Sequence, residues 1–445
     1  MKLRMAGVFL GIASATALGA ACSATPNVNP FTGVGGSTVA SSSASGGAST
    51  SPTGGLGGGV FGTSGIGTGG LGAGASGACN PGPNEDFDKD GWTIAQGDCN
   101  DCDPNVNPGA IDTPAHPGPD GGIIPASDNN CDGKITVDVT CDATLALADI
   151  DPMHGANAIE LCQTTTAAEK TWGVLSANYV RANGTVYTPS TEVGILQNFG
   201  PNVNVQGGTS MLALSSGHAR LPGQPGACGS LSCTNNGAGT PPPGFPQNVP
   251  NCTPSPTIVD DEALELQIRA PTNATGYTFN FKFYSFEYPT WVCTTYNDQF
   301  ITLVNPAPAG AINGNISFDA NHNPVSVNLG YFQVCDPTSS TNFASSCHKQ
   351  GNAACPALPA SYCPSGVAQL QGTGFDVWGK GTINNGGATT WLQTTAPVTG
   401  GSTFTIRFAI WDSGNDEYDS TVLVDNFQWV ATGGVVSTGT VPTTQ

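Results

Sequence analysis

Tyr277, Phe279, Phe281 and Phe283 stand at every second position, with polar residues between them. Leu264, Leu266 and Ile268 repeat the pattern. A β-strand turns successive side chains to opposite faces, so a period of two commits one face to a buried core. Further strand candidates lie at 172–180, 300–304, 316–318, 325–329, 389–393, 403–411 and 421–430, parted by Gly, Pro and Asn turns. This spacing predicts a mainly β fold, a jelly-roll-like β-sandwich with a few short helices. The helical candidates are 143–150 and 157–162, broken apart by Pro152. Six of the seven Trp residues follow position 141, so the domain with a core is expected over 141–432. A Pro/Gly-rich stretch, 222–256, carries Cys228, Cys233 and Cys252 and reads as a stapled surface loop.

Fifteen cysteines point to an oxidising compartment. The N-terminus agrees with that. Lys2 and Arg4 precede an uncharged, mostly apolar run to Leu18, and Gly19, Ala20 and Ala21 precede Cys22. Residues 1–21 therefore read as a secretory signal. Small residues directly before a cysteine resemble a bacterial lipobox, although Gly19 stands where Leu is usual. The resemblance implies lipidation of Cys22; simple secretion is the alternative. Lipidation would leave an even number of cysteines for disulfides. Proximity suggests Cys141 with Cys162, Cys228 with Cys233, and pairs within Cys335, Cys347, Cys355 and Cys363. Residues 22–78 are low-complexity Gly, Ser, Thr and Ala, with no charge between Arg4 and Glu85. Too little apolar surface is present to offset ordering, so a flexible tether spanning ~40 Å is expected. Residues 433–445 are expected to form a disordered tail.

The chain has 32 acidic and 12 basic residues, a formal net charge of −20. That balance disfavours nucleic acid and anionic headgroups as partners and favours cations. Thirteen of the acids, against two lysines, fall between Glu85 and Asp142. Asp86, Asp88, Asp90 and Gly91 occupy positions 1, 3, 5 and 6 of a calcium loop. Alternate residues of a tight loop point at one centre, and hard Ca²⁺ takes six to eight oxygens. Trp92 would add its carbonyl. Position 12 is Gly97, and Asp98 beside it could replace the missing Glu. Asp128, Asn130, Asp132 and Gly133 repeat the order, with Lys134 at the carbonyl position and Asp138 one residue short of position 12.

The run from Asp86 through Asp98, Cys99, Asn100 and Asp101, then Pro108, Gly109 and Ala110, closes on Asp128, Asn129, Asn130, Cys131, Asp132 and Gly133. In this order residues 79–140 resemble the MopE-type metal-binding repeat of myxobacterial surface lipoproteins. The resemblance implies a small Asp-rich module with Ca²⁺ as its cofactor. Cys102 is extra, and an inserted stretch, 113–126, is expected to disturb packing between the loops. A solvated acidic linker is the alternative. Zinc at Cys99 and Cys102 is disfavoured, since there is no second CxxC.

The larger domain shows a second likeness. Ser215, Ser216, Gly217 and His218 are followed by Asp260 and Asp261, then Phe281, Phe283, Glu287, Tyr288 and Pro289, then Asn297 and Asp298. Trp411, Asp412, Asp419, Asp425, Asn426 and Phe427 close the series. Together these resemble the choice-of-anchor domain of bacterial surface proteins. That implies an extracellular, mainly β domain on varied anchors and no reaction; here the membrane anchor would be the lipid on Cys22. Glu287, Asp298, Asp412, Asp416 and Asp419 gather at strand ends, where like charges repel unless a cation or water parts them. A second metal site there and solvated loops at one end of the sandwich are the two readings. No GxSxG, HExxH or Walker motif is present, so no enzyme is expected. The reading is a lipid-anchored calcium-binding protein of the outer membrane or cell surface, serving adhesion or surface interaction with a glycan or surface protein. One rival is a carbohydrate-binding module using Trp291, Trp378 and Trp391. The other is a secreted hydrolase pairing Glu287 with an aspartate.

Overall fold

The computed structural model describes residues 79–118, 120–136, 141–142, 144–233, 236–249, 252–327, 331–336, 363–376, 386–431 and 435–443. The expectations for the signal, Cys22 and the tether concern residues outside these, as do Asp138, Trp378, Cys347 and Cys355.

A small hairpin pairs β1 (His116–Pro117) with β2 (Ile123–Ile124). One short helix follows, α1 (Pro152–Asn157). The remaining strands are β3 (Gly173–Val180), β4 (Val193–Leu196), β5 (Met211–Ser215), β6 (Ile258–Arg269), β7 (Gly276–Ser285) and β8 (Gln299–Asn305). Then come β9 (Val325–Ser326), β10 (Phe332–Cys335), β11 (Gly387–Thr389), β12 (Leu392–Pro397), β13 (Thr403–Ser413), β14 (Ser420–Val430) and β15 (Gly439–Pro442). One sheet runs β3-β6-β13-β8-β9. The other runs β10-β11-β7-β14-β5-β4, with β12 on β7 and β15 on β12. The fold is mainly β, as the alternation predicts.

The two sheets share one core. Leu264, Leu266 and Ile268 of β6 and Phe404, Ile406 and Phe408 of β13 meet Phe279, Phe281 and Phe283 of β7. Phe279 stands edge-on to Phe408 at 5.1 Å, and Phe281 lies 5.0 Å from Phe300. Phe281→Ala is expected to cost ~3–5 kcal/mol through lost burial and the cavity left behind, read by denaturant unfolding. Both outer faces are covered as well. Met211, Ala213, Tyr284 and Leu423 pack under Phe199, Phe375 and Trp391, and Ala263, Ala409 and Trp411 pack under Phe245.

Several sequence expectations change. Pro152 starts the helix instead of separating two. It occupies the first turn, where a missing N–H costs nothing, and Asp151 caps by accepting from Met153 N. Residues 144–150 form turns, because Asp149 takes the Asp151 amide. The 157–162 stretch ends in turns, with Glu160 at φ 66°. The 389–393 strand divides at Trp391, which enters the outer core. Residues 316–318 form no strand, and Phe318 alone makes an isolated bridge, to Pro324. The expected tail supplies β15, whose Thr440 is buried against Thr394. Stretch 222–256 is more than a surface loop, since its Phe245 meets Trp411 at 6.2 Å.

Among the described residues six disulfides form. Cys141–Cys162, Cys228–Cys233 and Cys335–Cys363 match expectation. Cys252 leaves its loop to reach Cys293, and Cys79–Cys102 and Cys99–Cys131 tie the Asp-rich module. The insertion does not separate the module's loops. Its ends are joined by the Thr113–Ser127 bridge and the β1–β2 hairpin projects from them.

Candidate metal centre

The first Asp loop closes on itself through its own backbone. Asp86 Oδ2 accepts from Gly91 N (3.1 Å), Asp88 Oδ1 from Asp90 N (3.2 Å) and Asp90 Oδ1 from Trp92 N (2.8 Å). Lys89 and Gly91 hold the left-handed conformation that makes the turn, at φ 70° and 95°. Asp86 and Asp88 each keep the other carboxylate oxygen without a donor, while Asp90 Oδ2 accepts from Asn107 Nδ2. Oxygens of Asp86, Asp88 and Asp90 lie within 4.8 Å of one another, as do those of Asp88, Asp98 and Asp101. Asp88 belongs to both groups, so the two clusters adjoin. Asp86 Oδ1, Asp88 Oδ2, Asp98 Oδ2 and Asp101 Oδ2 are buried with no hydrogen-bond partner. Burial, then the Asp90 charge, pushes the Asp88 carboxyl up to about 6. Burial raises Asp90 and Asp98 too.

The second loop repeats this geometry bond for bond. Asp128 Oδ2 accepts from Gly133 N (2.9 Å), Asn130 Oδ1 from Asp132 N (3.0 Å) and Asp132 Oδ1 from Lys134 N (2.8 Å). Cys131 and Gly133 take the left-handed positions, at φ 63° and 84°. Asp128 Oδ1 is buried without a partner.

Two further acids belong here that loop spacing did not single out. Asp101 Oδ1 accepts from Phe87 N (2.8 Å), at position 2 of the first loop. Asp112 Oδ1 accepts from Asn129 N (3.0 Å), at position 2 of the second. No local offset could reveal these roles, because chain reversal brings each acid to its loop.

The module's interior is polar. Among the described residues of 79–136, the buried side chains are Asp98, Asp101, Asn107, Asp112, Thr113, Asn129 and the small Ala110. Phe87, Ile94, Ile123, Ile124 and Ile135 are exposed. Buried carboxylates without donors are costly unless a cation completes them. An all-oxygen set fits Ca²⁺.

Asn107 ties the first loop to the sandwich. Its Nδ2 donates to Asp90 Oδ2 (2.7 Å), and its Oδ1 accepts from Thr272 Oγ1 (2.7 Å) and Gly109 N (2.9 Å). Asn273 exchanges two bonds with the Ile111 backbone (3.0 and 2.8 Å). Asn107→Ala is expected to destabilise by ~1–3 kcal/mol, since it strands buried partners, and to weaken calcium binding; denaturation with and without Ca²⁺ checks both.

In the sandwich the structure gathers Glu287, Asp298, Asp412 and Asp419, all buried, and leaves Asp416 exposed. These four are not solvated loop residues. Asp298 accepts from Ser413 N (3.0 Å) and Ser420 Oγ (2.6 Å), and its own N–H meets Glu287 Oε2 at 3.4 Å. Burial pushes Asp298 up to about 7 and, with the Asp298 and Asp260 charges, Asp419 up to about 8. Glu287 and Asp412 are raised further by burial and then by Asp298. Both Asp412 oxygens lack a partner of sound geometry; the Ser216 hydroxyl and Asp298 lie close enough to bias its charge.

The other sequence candidates separate. Ser215 Oγ bonds Ser420 O (3.0 Å) and Thr421 Oγ1 (2.8 Å), while His218 Nδ1 meets Gly226 O (2.6 Å). Trp391 is buried and Trp291 half-buried against Tyr296 and Tyr418. A cleft of about 540 Å³ is lined by His218, Arg220, Phe286, Phe375 and Asp376.

The profile of the choice-of-anchor L domain matches residues 153–427. The chain belongs to the choice-of-anchor L family. Its matched segment begins at α1 and ends within β14, so it takes in most of both sheets. A choice-of-anchor L domain marks a bacterial cell-surface protein, and the family is not a known enzyme family. No curated protein and no solved structure matches the chain. Among the described residues no helix is long and apolar enough to cross a membrane.

Proposed function

We propose that this chain is a lipid-anchored, calcium-binding cell-surface protein that serves adhesion or surface interaction. The observation that carries the calcium reading is the pair of aspartate clusters that share Asp88, in which oxygens of Asp86, Asp88, Asp98 and Asp101 are buried without a donor. The second loop, built bond for bond on the same plan, would hold a second ion through Asp128, Asn130, Asp132 and the Lys134 carbonyl. The likeness of residues 79–140 to the MopE-type repeat supports the same reading. Glu287, Asp298, Asp412 and Asp419 would take a further cation inside the sandwich. Asp416, which is exposed, is left out of that set.

The anchor would be acyl chains on Cys22, each buried CH₂ contributing ~0.8 kcal/mol. Cys22→Ser is expected to move the protein from the membrane pellet to the soluble fraction, because an uncharged Gly/Ser tether has no membrane affinity of its own. Persistence of the variant in the pellet, or a wild type that is already soluble, would remove the lipid from the account.

A carbohydrate-binding role is the second reading, favoured by the cleft that joins Phe286 and Phe375 to His218, Arg220 and Asp376. Glycan-array binding of the secreted chain, lost in Arg220→Ala, would support it. An array without signal would leave a protein partner.

A further inference from the structure

Asp142 is 1% exposed. Its Oδ2 accepts from Thr209 N (2.6 Å), Ser210 Oγ (2.8 Å) and Ser210 N. Its Oδ1 is buried and has no partner. Glu160 stands next to it, and both Glu160 oxygens are buried without a hydrogen bond. Two amides lie beside Glu160 and ease its charge, although each makes its closer bond elsewhere: Asn426 N donates to Asp425 Oδ1 (2.7 Å) and Phe427 N to Ile159 O (3.1 Å). Asp425 Oδ2 takes Gln206 N (2.5 Å).

The backbone opposite these acids is Gly207 and Gly208. A Cβ on Gly208 would lie 2.5 Å from Glu160 Oε1 and 2.7 and 2.8 Å from the two Asp142 oxygens. One on Gly207 would lie 2.9 Å from Glu160 Oε2 and 3.0 Å from Asn426 Oδ1. Carboxylate oxygens from two segments thus converge on one spot, and only glycine lets the chain pass it. The charges that act on Glu160 are those of Asp425 and Asp142, both negative. Like charges in the interior need a counter-ion between them.

We propose that Asp142 and Glu160 hold one divalent cation, with Ca²⁺ the ion suited to an all-oxygen set. Both acids lie inside the loop closed by Cys141–Cys162, Asp142 next to Cys141 and Glu160 after α1. A shared ion pins this loop against the bend at Gly207 and Gly208. The site is independent of the Asp loops.

The test compares calcium content of the full secreted chain with that of Glu160→Gln and Asp142→Asn, after dialysis against ~1 mM Ca²⁺. Each variant is expected to lose one equivalent of calcium and part of the calcium-induced rise in melting temperature. Calcium-dependent protease protection of the Asp-rich module should persist in both. Unchanged calcium content in both variants would overturn the site. Asp88→Asn reads the first loop separately, so failure there leaves this site standing. Should the variants not fold, anomalous diffraction from wild-type crystals grown with Tb³⁺ decides. A peak between Asp142 and Glu160 supports the site, and its absence overturns it.

Discussion

Freed of divalent cations, the chain is expected to melt at a higher temperature at about pH 5 than at about pH 7, by ~5 °C or more. The cause is the set of buried acids whose carboxyls are raised. Asp298 is pushed to about 7, Asp419 to about 8, Asp425 to about 7 and Glu160 to about 9, each chiefly by burial. Unfolded, these groups titrate near pH ~4. Between those limits the folded chain binds more protons than the unfolded one, so stability falls as pH rises. Each group protonated only in the folded state contributes ~1.4 kcal/mol per pH unit. Lys282 opposes this trend only at higher pH. Burial pushes its amine down to about 7, and below that it is charged in both states. The window from pH 5 to pH 7 therefore reads the acids. Thermal melts in EGTA check the slope; a flat profile would mean that these carboxylates are solvated in the folded chain. Adding Ca²⁺ should restore stability at pH 7, because a cation replaces the protons.

Cys99→Ser with Cys131→Ser is expected to open the Asp-rich module to protease while the sandwich stays folded. The module has almost no apolar interior, since Ala110 is small, Trp92, Val106 and Ile111 are only half-buried, and Phe87, Ile94, Ile123, Ile124 and Ile135 are exposed. Cross-links must therefore hold it, with cations in the proposed reading. Cys99–Cys131 closes 32 residues of chain and carries Cys131 at position 4 of the second loop. Loop-closure entropy alone makes such a link worth ~3–4 kcal/mol. The remaining Cys79–Cys102 link does not reach the second loop. Cleavage should therefore concentrate between Asp112 and Thr136, and the calcium affinity of both loops should drop. Equal protease resistance in variant and wild type would show that the module has another source of stability.

The sequence showed what depends on local spacing. β6, β7 and β13 alternate visibly because one face of each carries the large residues of the shared core. β4 and β5 escaped notice. All the residues of Val193–Leu196 and Met211–Ser215 are buried, so no alternation marks them. β15 carries no apolar signal, and its register comes from pairing with β12. The site divides in the same way. Positions 1, 3, 5 and 6 of each loop lie within six residues, so the candidate ligands are legible. Asp101, Asp112 and Asn107 act across chain reversals, and Asp425 meets Gln206 from 219 residues away. Only the folded chain brings these together. The buried state of Glu287, Asp298, Asp412 and Asp419 was also hidden, because strand-end acids ordinarily face water.

Calorimetric titration of the intact secreted chain with Ca²⁺, run alongside limited proteolysis, tests the central claim most directly. Without a bidentate Glu at position 12, the loops are expected in the extracellular class, with Kd roughly 10⁻⁴ to 10⁻³ M. Binding heat in that range, diminished in Asp88→Ala and in Asp128→Ala and accompanied by protection of residues 79–136, is the predicted result. No heat and no gain in protease resistance up to ~10 mM Ca²⁺, tenfold above the weakest Kd expected, would mean that the aspartate loops close without calcium.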